Sequence, residues 1–376
     1  MTKEPNDATV VRNEPRNLNR SRLLLSALSS LLLALCSILF AVSACYAAQP
    51  SNPPNPPLVK GGKGGLVKIA LFPFENLTDR MDALTTIMPV MKGRLEAKGL
   101  DMLDEDTLNR FLLKERIRST GYISSDIARK LKEELNVNAI LVGSVNSFSP
   151  GENPGVGLSA RLINSSDGTI LWADHASATG EDFTKILGLG RVKDLDRLIP
   201  KVIDKLLASF TTTPPYKEIE STYKIAVMPF QNKSKVKDVG MIATYMFLVE
   251  LFKSRRFVPV EYGEVRHLVV DLRVRGKGEL DLKNTEAISK SLGVDGIIVG
   301  TVELYKEEEG TFPPEAVISA RLIDARKDRI LWYDSYQLNG DDGIIILDWG
   351  RIRSAENVAY KAVSKLVKEL GKTKWH

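Results

Sequence analysis

The chain has 376 residues, 43% hydrophobic and 26% charged, the composition of a globular protein with room for two domains of ordinary size. Its formal charge of +5 falls to +3 once residues 1–44 are set aside, since that stretch holds five basic and three acidic side chains. So even a balance excludes a dedicated nucleic-acid-binding surface, and no Lys/Arg run with interleaved aromatics restores one.

In chain order, a polar leader ends at Asn19-Arg20-Ser21-Arg22 and an apolar run follows from Leu23 to Ala48. A basic flank, an apolar stretch and then small residues form the pattern of an export signal. Within it, Val42-Ser43-Ala44-Cys45 resembles a lipobox, in which small residues fit a peptidase and the thiol accepts lipid. Cys45 is therefore the candidate lipidation site, and several acyl chains there would anchor the chain durably. Two other outcomes stay open: cleavage after Ala47 or Ala48, or an uncut apolar run retained as a membrane anchor. The only cysteines are Cys36 and Cys45, both in this segment, so the rest can hold neither a disulfide framework nor a thiolate metal site.

Residues 45–66 read as a tether. QPSNPPNPPLVKGGKGG is Pro-rich and then Gly-rich, extended and then flexible. Its GGKGG lacks the spacing of a phosphate loop, and no strand precedes it.

Beyond the tether the sequence repeats itself. Lys68-Ile69-Ala70-Leu71-Phe72-Pro73-Phe74-Glu75-Asn76 returns as Lys224-Ile225-Ala226-Val227-Met228-Pro229-Phe230-Gln231-Asn232. The block from Leu135 to Val145 returns from Leu292 to Val302, and the SARLI and ILW blocks at 159–163 and 170–172 return at 319–323 and 330–332. Blocks in one order at a nearly constant offset mean duplication. The expected organisation is a signal segment 1–44, the tether 45–66, a first module 67–210, a linker 211–222 and a second module 223–371.

Each copy opens with a buried-type strand ended by Pro. A helix follows, on the stripe Leu84, Ile87, Met91, Leu95 in the first copy and Ile242, Met246, Val249, Phe252 in the second. Pro89 is expected to kink the first of these helices or delay its start. A short strand (101–103; 257–261) and two helices come next, the second capped at Ser124-Ser125-Asp126. Three closely spaced strands (139–148, 157–163, 170–176; 296–305, 317–323, 330–336) and a closing amphipathic helix complete the unit. The predicted fold class is α/β (α+β): two tandem copies of a mixed sheet of about five strands flanked by helices, in the order β-α-β-α-α-β-β-β-α.

At these blocks the chain resembles the CsgG/TolB-N-terminal/LpoB-like superfamily of bacterial envelope proteins. The blocks are the I-A-[VL]-x-P-F-x-N opening, the strand ending V-G-[ST]-V and the S-A-R-L-I…I-L-W hairpin. The resemblance covers nearly all of residues 67–370 and specifies fold better than activity. It implies an envelope factor accessory to secretion, peptidoglycan synthesis or transport. A pore subunit would need membrane hairpins of roughly ten-residue alternating strands. The polar hairpin tips SPGENPG and EEEGTFPPE are not of that kind, which speaks against a secretion channel.

The residues offer no catalytic constellation. His175, His267 and His376 lack a partner pattern and read as structural or surface residues. Glu181-Asp182 and Asp341-Asp342 read as helix-start or turn residues, and no metal or cofactor site is expected. Arg161 and Arg321, each inside an apolar strand, are expected to brace the sheet by packing on Trp172 and Trp332. Met241, Tyr245, Leu248 and Phe252 form a second apolar stripe, which calls for burial on two sides, by the other copy or by another protein.

The leading expectation is a non-enzymatic, periplasm-facing lipoprotein held to the membrane by lipid on Cys45. It would serve as an accessory or scaffold factor with an envelope protein partner and no nucleic acid. Tyr46 after the cysteine is not the Asp tied to inner-membrane retention, so the outer membrane is the expected destination. The alternative is a periplasmic sensor binding a small molecule or glycan between the modules; an unrecognised hydrolase ranks last. Oligomeric state is left open.

Overall fold

The computed structural model describes residues 68–184, 190–210, 223–271, 282–327, 329–343 and 350–375. The signal segment, Cys45, the tether, the 211–222 linker and His376 lie outside the described residues.

The first module comprises β1 (Lys68–Leu71), β2 (Glu75–Asn76), α1 (Ala83–Ala97), β3 (Asp101–Met102), α2 (Glu105–Lys114), α3 (Ser125–Leu135), β4 (Ala139–Ser149), β5 (Gly155–Asn164), β6 (Ile170–Thr179) and α4 (Leu195–Leu206). The second repeats it with β7 (Tyr223–Val227), β8 (Gln231–Asn232), α5 (Val239–Ser254), β9 (Phe257–Pro259), α6 (Tyr262–Asp271), α7 (Leu282–Leu292), β10 (Gly296–Lys306), β11 (Glu315–Asp324), β12 (Ile330–Asn339) and α8 (Ala355–Leu370). Each sheet is mixed and six-stranded: β3-β1-β4-β5-β6 with β2 beside β4, and β9-β7-β10-β11-β12 with β8 beside β10. Parallel pairing joins β1 to β3 and β4, whereas β4, β5 and β6 run antiparallel.

The architecture is the expected tandem α/β fold with one addition. After each Pro-Phe, two residues form a parallel strand, Glu75 opposite Ser144 and Gln231 opposite Thr301. Two residues are too few to show a period. Pro89 behaves differently from the expectation: α1 begins at Ala83 and runs through the proline, which lies on its exposed side.

The repeated motifs do structural work. Lys68 and Lys224 donate from Nζ to the carbonyls of Leu135 and Leu292 at the C-terminal ends of α3 and α7, where a cation suits the helix dipole. Asn138 Oδ1 and Asp295 Oδ2 accept from the backbone N–H of those same lysines, each at 2.9 Å. Asn136 (φ 55°) and Gly293 (φ 58°) end these helices in the left-handed region that Asn and Gly tolerate. Asn76 and Asn232 each tie down the following turn, accepting from Thr78 N and Ser234 N. Phe74 and Phe230 lie against Gly143 and Gly300, where a Cβ would come within 2.7 Å and 2.1 Å of their rings.

One face of the first sheet carries Leu158, Ala160, Leu162, Trp172 and Ala176 and packs on α1 and α4 through Ile87, Met91, Leu198 and Val202. On the other face, Ala70, Phe72, Ile140 and Val142 pack under α2 and α3 through Leu108, Phe111 and Leu131. Val249 and Phe252, from α5 of the second module, belong to that same cluster. The remaining side of α5 packs in the second module's own core with Phe247 and Leu251. The double apolar stripe is thus explained by burial on two sides, between the modules; only Met241 of the stripe stays partly exposed. Burying Val249 and Phe252 contributes about 1.5–3 kcal/mol each. Among the described residues, no helix is long and apolar enough to cross a membrane.

Candidate functional site

Register decides which side chains of the first sheet face the second module. Ser159 stands opposite His175 and Arg161 opposite Ala173, so these residues share a face, with Trp172 on the opposite one. The β4–β5 register shifts between Val145 and Ser147, leaving Asn146 as an extra residue at a bulge. Ser144, Asn146, Ser159, Arg161, His175 and Ser177 are all buried. A polar face so placed needs partners, and α5, α6 and α8 of the second module supply them.

At one end of this seam Arg161 has no exposure to water. Its Nε donates to Glu261 Oε2 at 2.9 Å, and Nη2 donates to Glu261 Oε1 at 3.1 Å and to the Gly121 carbonyl at 2.8 Å. The guanidinium lies 4.4 Å from the centre of the Tyr245 ring. Burial opposes its charge, but Glu261, together with Tyr245 and Glu75, more than offsets this and raises its pKa. Tyr245 donates to Glu75 Oε2 at 2.6 Å, and burial, then Glu75, push the phenol well above its ordinary range. The expected Arg161–Trp172 packing is therefore corrected. Residue alternation sends Trp172 to the other face, where Nε1 donates to Ser209, and Arg161 finds its aromatic in the second module.

At the other end, the carboxyl of Glu356 on α8 enters the first sheet. Asn146 Nδ2 donates to its Oε1 at 3.0 Å, and Ser147 donates to its Oε2. Gly157 makes room, since a Cβ there would fall 1.7 Å from Oε2. Beside it, His175 shares a hydrogen bond of 3.1 Å between Nδ1 and Ser159 Oγ, and its ring lies 4.2 Å from that of Tyr360. Its Nε2 is 3.8 Å from Glu356 Oε1. Burial pushes Glu356 up to about 7; burial, then Lys205 and Lys253, push His175 down to about 3, so both lean to their neutral forms. Lys253 bridges Asp174 of the first module (3.0 Å) and the Tyr360 hydroxyl (3.1 Å).

Where the seam meets solvent lies a groove of about 740 Å³ between the α2–α3 connection and α6. Tyr122 and His267 line it with Arg116, Arg118 and Lys130. Tyr122 packs edge-on to Tyr262, and Tyr262 to Tyr245, joining the groove to the Arg161 cluster. Glu264 on α6 accepts from Ser125 N, adding to the cap of the other module's α3.

His175 is a buried seam residue, His267 a groove residue, and His376 lies outside the described residues. Asp182 accepts from Thr179 N (2.6 Å) and Asp342 from Asn339 N (2.8 Å), the turn role foreseen for them. Glu181 instead pairs with Arg353 of the second module at 2.9 Å. Among the described residues no group of three His, Cys, Asp or Glu side chains is placed to hold a metal ion. Reading each copy alone gave Asn146, Gly157, Glu261 and Glu356 no role. The signal lay in differences between the copies, where Gly157 answers to Val317, His175 to Ser335 and Glu356 to Asp196.

Arg161→Met or Glu261→Met alone should destabilise the protein by about 3–5 kcal/mol, because each strands a buried charge. The double variant should lose less than either, as urea unfolding of the four proteins will show. Glu356 should govern a pH dependence. Its folded pKa is raised from 4.5 to about 7, so its stabilising effect is complete below 4.5 and lost as pH climbs through 7. His175, lowered from 6.5 to about 3, acts oppositely: its contribution is complete above 6.5 and lost as pH falls toward 3. Glu356→Gln should therefore match the parent near about pH 5 and exceed it by up to about 3 kcal/mol at about pH 8, measured by urea unfolding at each pH.

No family model and no curated protein matches the chain. Among solved structures, the PelC dodecamer from Paraburkholderia phytofirmans is similar at 16% identity, over 42% of this chain and 92% of that one, with a TM-score of 0.28. Lipoprotein GNA1162 from Neisseria meningitidis matches at 19% identity over 39% and 99%, TM-score 0.28. The LpoB C-terminal domain from Escherichia coli matches at 11% over 33% and 87%, TM-score 0.24. The chain is structurally similar to these proteins.

Proposed function

We propose that this protein is a non-enzymatic lipoprotein of the cell envelope, anchored through Cys45 and facing the periplasm from the outer membrane. Its modules, 67–210 and 223–371, act as one rigid accessory or scaffold piece in envelope assembly, secretion or transport, working with an envelope protein. The observation that carries the reading is Val42-Ser43-Ala44-Cys45 at the end of an apolar run, followed at once by a Pro/Gly-rich tether. The seam supports it from another side: Arg161, His175, Glu261 and Glu356 are committed to joining the modules, which suits a scaffold rather than a reaction centre. Metabolic labelling with a fatty acid should mark the parent protein and leave Cys45→Ala unmarked; labelling that survives the substitution overturns the anchor.

The groove beside Tyr122 favours a second reading, a sensor of a small molecule or glycan. Its volume of about 740 Å³ lies in the range of ligand sites, and Arg116 and Arg118 stand at it as cations. A thermal-shift screen with cell-wall fragments and nucleotides tests this. A ligand at a hundred times its Kd should stabilise by about 2.7 kcal/mol in the parent and less in Arg118→Ala. No shift with any compound counts against the sensor.

A further inference from the structure

We infer that the polar sheet face of the second module docks on the first module of another copy of this chain, so that copies associate head to tail. The template is the seam inside the chain, because the two modules share one fold and only one copy of each surface is used. Among the described residues, the second module's equivalent of the seam face is exposed along β12. Ile330 and Tyr333 are 58% and 65% exposed, whereas their counterparts Ile170 and Ala173 are 9% and 1% exposed. The first module's equivalent of the docking surface is uncovered as well. It forms a groove of about 670 Å³ beside α1 and the start of α2, with Pro89, Gly93 and Glu96 along it and Met88, Met102 and Leu108 within.

Several of the residues that differ between the copies differ in matched pairs. Arg321 stands where Arg161 stands, and Asp104, which caps α2 by accepting from Thr107 N at 3.0 Å, occupies the Glu261 position, so the signs of charge are kept while each group also has a partner of its own. Tyr245 and Glu75, bonded across the internal seam, are replaced by Pro89 and Gln231, so a hydroxyl and a carboxylate vanish together. Ala173, buried in one apolar cluster with Val249 and Phe252 of the second module, is replaced by the larger Tyr333, while Val249 is replaced by Gly93. At Gly93 a Cβ would meet nothing within 4 Å, which leaves space for the ring. Asp334 takes the place of Asp174, and Lys98 lies one residue beyond the Lys253 position. One juxtaposition is adverse: Asp196, at the Glu356 position, would approach Glu303. Lys233 already pairs with Glu303 at 3.0 Å and tempers it. Bulk, and charge at all but this one place, thus match a second copy. The contact is heterologous, with a different patch on each partner, so it propagates into a ring or a filament.

The test uses the full chain in detergent, with size read by sedimentation over a range of concentrations and folding by circular dichroism. The parent should sediment as a concentration-dependent assembly larger than a dimer. Tyr333→Asp spoils one face and Gly93→Trp fills the other; each should be monomeric alone, and a mixture of the two should stop at a dimer. Arg321→Glu should weaken association roughly tenfold or more, and adding Asp104→Lys in the same chain should restore it. The charge-reversal pair keeps the test decisive if Gly93→Trp does not fold. A monomeric parent overturns the inference, and so does an assembly that persists in both single-face variants. Neither outcome depends on fatty-acid labelling at Cys45, so the anchor and the self-association can fail separately.

Discussion

A guanidinium fully withdrawn from water is tolerable only if a carboxylate and further acceptors are withdrawn with it, and this requirement at Arg161 organises the described fold. The carboxylate comes from Glu261, at the start of α6 in the other module, and a carbonyl from Gly121 in the connection between α2 and α3. Meeting the first fixes where α6 begins. Gly263 shows how closely: a Cβ there would fall 2.1 Å from the Ile123 carbonyl of the first module. The polar pair adds little net stability, because desolvation offsets most of the attraction. Its effect is to specify one docking geometry, since sliding the modules would leave a buried charge unpaired. The apolar contacts of Val249 and Phe252 supply the driving force that the ion pair does not.

The far end of the seam follows the same logic with uncharged groups. Glu356 enters a pocket of amide and hydroxyl groups from Asn146 and Ser147, over a glycine that has no side chain to exclude it. In that setting burial raises its pKa to about 7, because the protonated carboxyl costs less to bury and can still hydrogen-bond. The two ends therefore hold the modules by different means, a buried ion pair and a carboxyl held by amide and hydroxyl donors. Beside Glu356, the Tyr360 ring lies against His175.

Much of the fold was legible in the sequence because the repeated residues do local, backbone-directed work. Lys68 and Lys224 cap helices, Asn76 and Asn232 tie turns, and Phe74 and Phe230 need glycine beneath them. Such roles recur wherever the fold recurs, so the duplication exposed them. β2 and β8 were not legible, being two residues long and defined by pairing with β4 and β10 rather than by pattern. Pro89 misled because the penalty for an interior proline can be absorbed when the affected turn faces solvent. The seam was the least legible part. Its partners are far apart in sequence, as Arg161 is from Glu261, and they belong to what the copies do not share. Arg161 recurs as Arg321, so repetition alone gave both one role, whereas one is sealed between modules and the other is half-buried on the second sheet.

Duplication of a module with two unlike docking surfaces carries a geometric consequence. When one copy's sheet face meets the next copy's helices, the pair retains one unused surface of each kind, at opposite ends. Evolution can close such a series by making the end surfaces polar and mismatched, as terminal repeats of solenoids do. Here the outer surface of α1 did become more polar than that of α5: Thr85, Lys92 and Glu96 stand where α5 carries Met241, Leu248 and Phe252. Simple capping would have scattered charges without regard to the opposite end. In the inferred association the two ends still correspond: Gly93 gives room where Tyr333 is larger, while Asp104 and Arg321 keep the charge signs of Glu261 and Arg161. A mature interface inside the chain can be strong and permanent, while one between chains has to assemble from solvated surfaces. Less apolar area and more charge is the composition that reversible association requires. The divergence of the two copies is in this sense one divergence, seen from both ends.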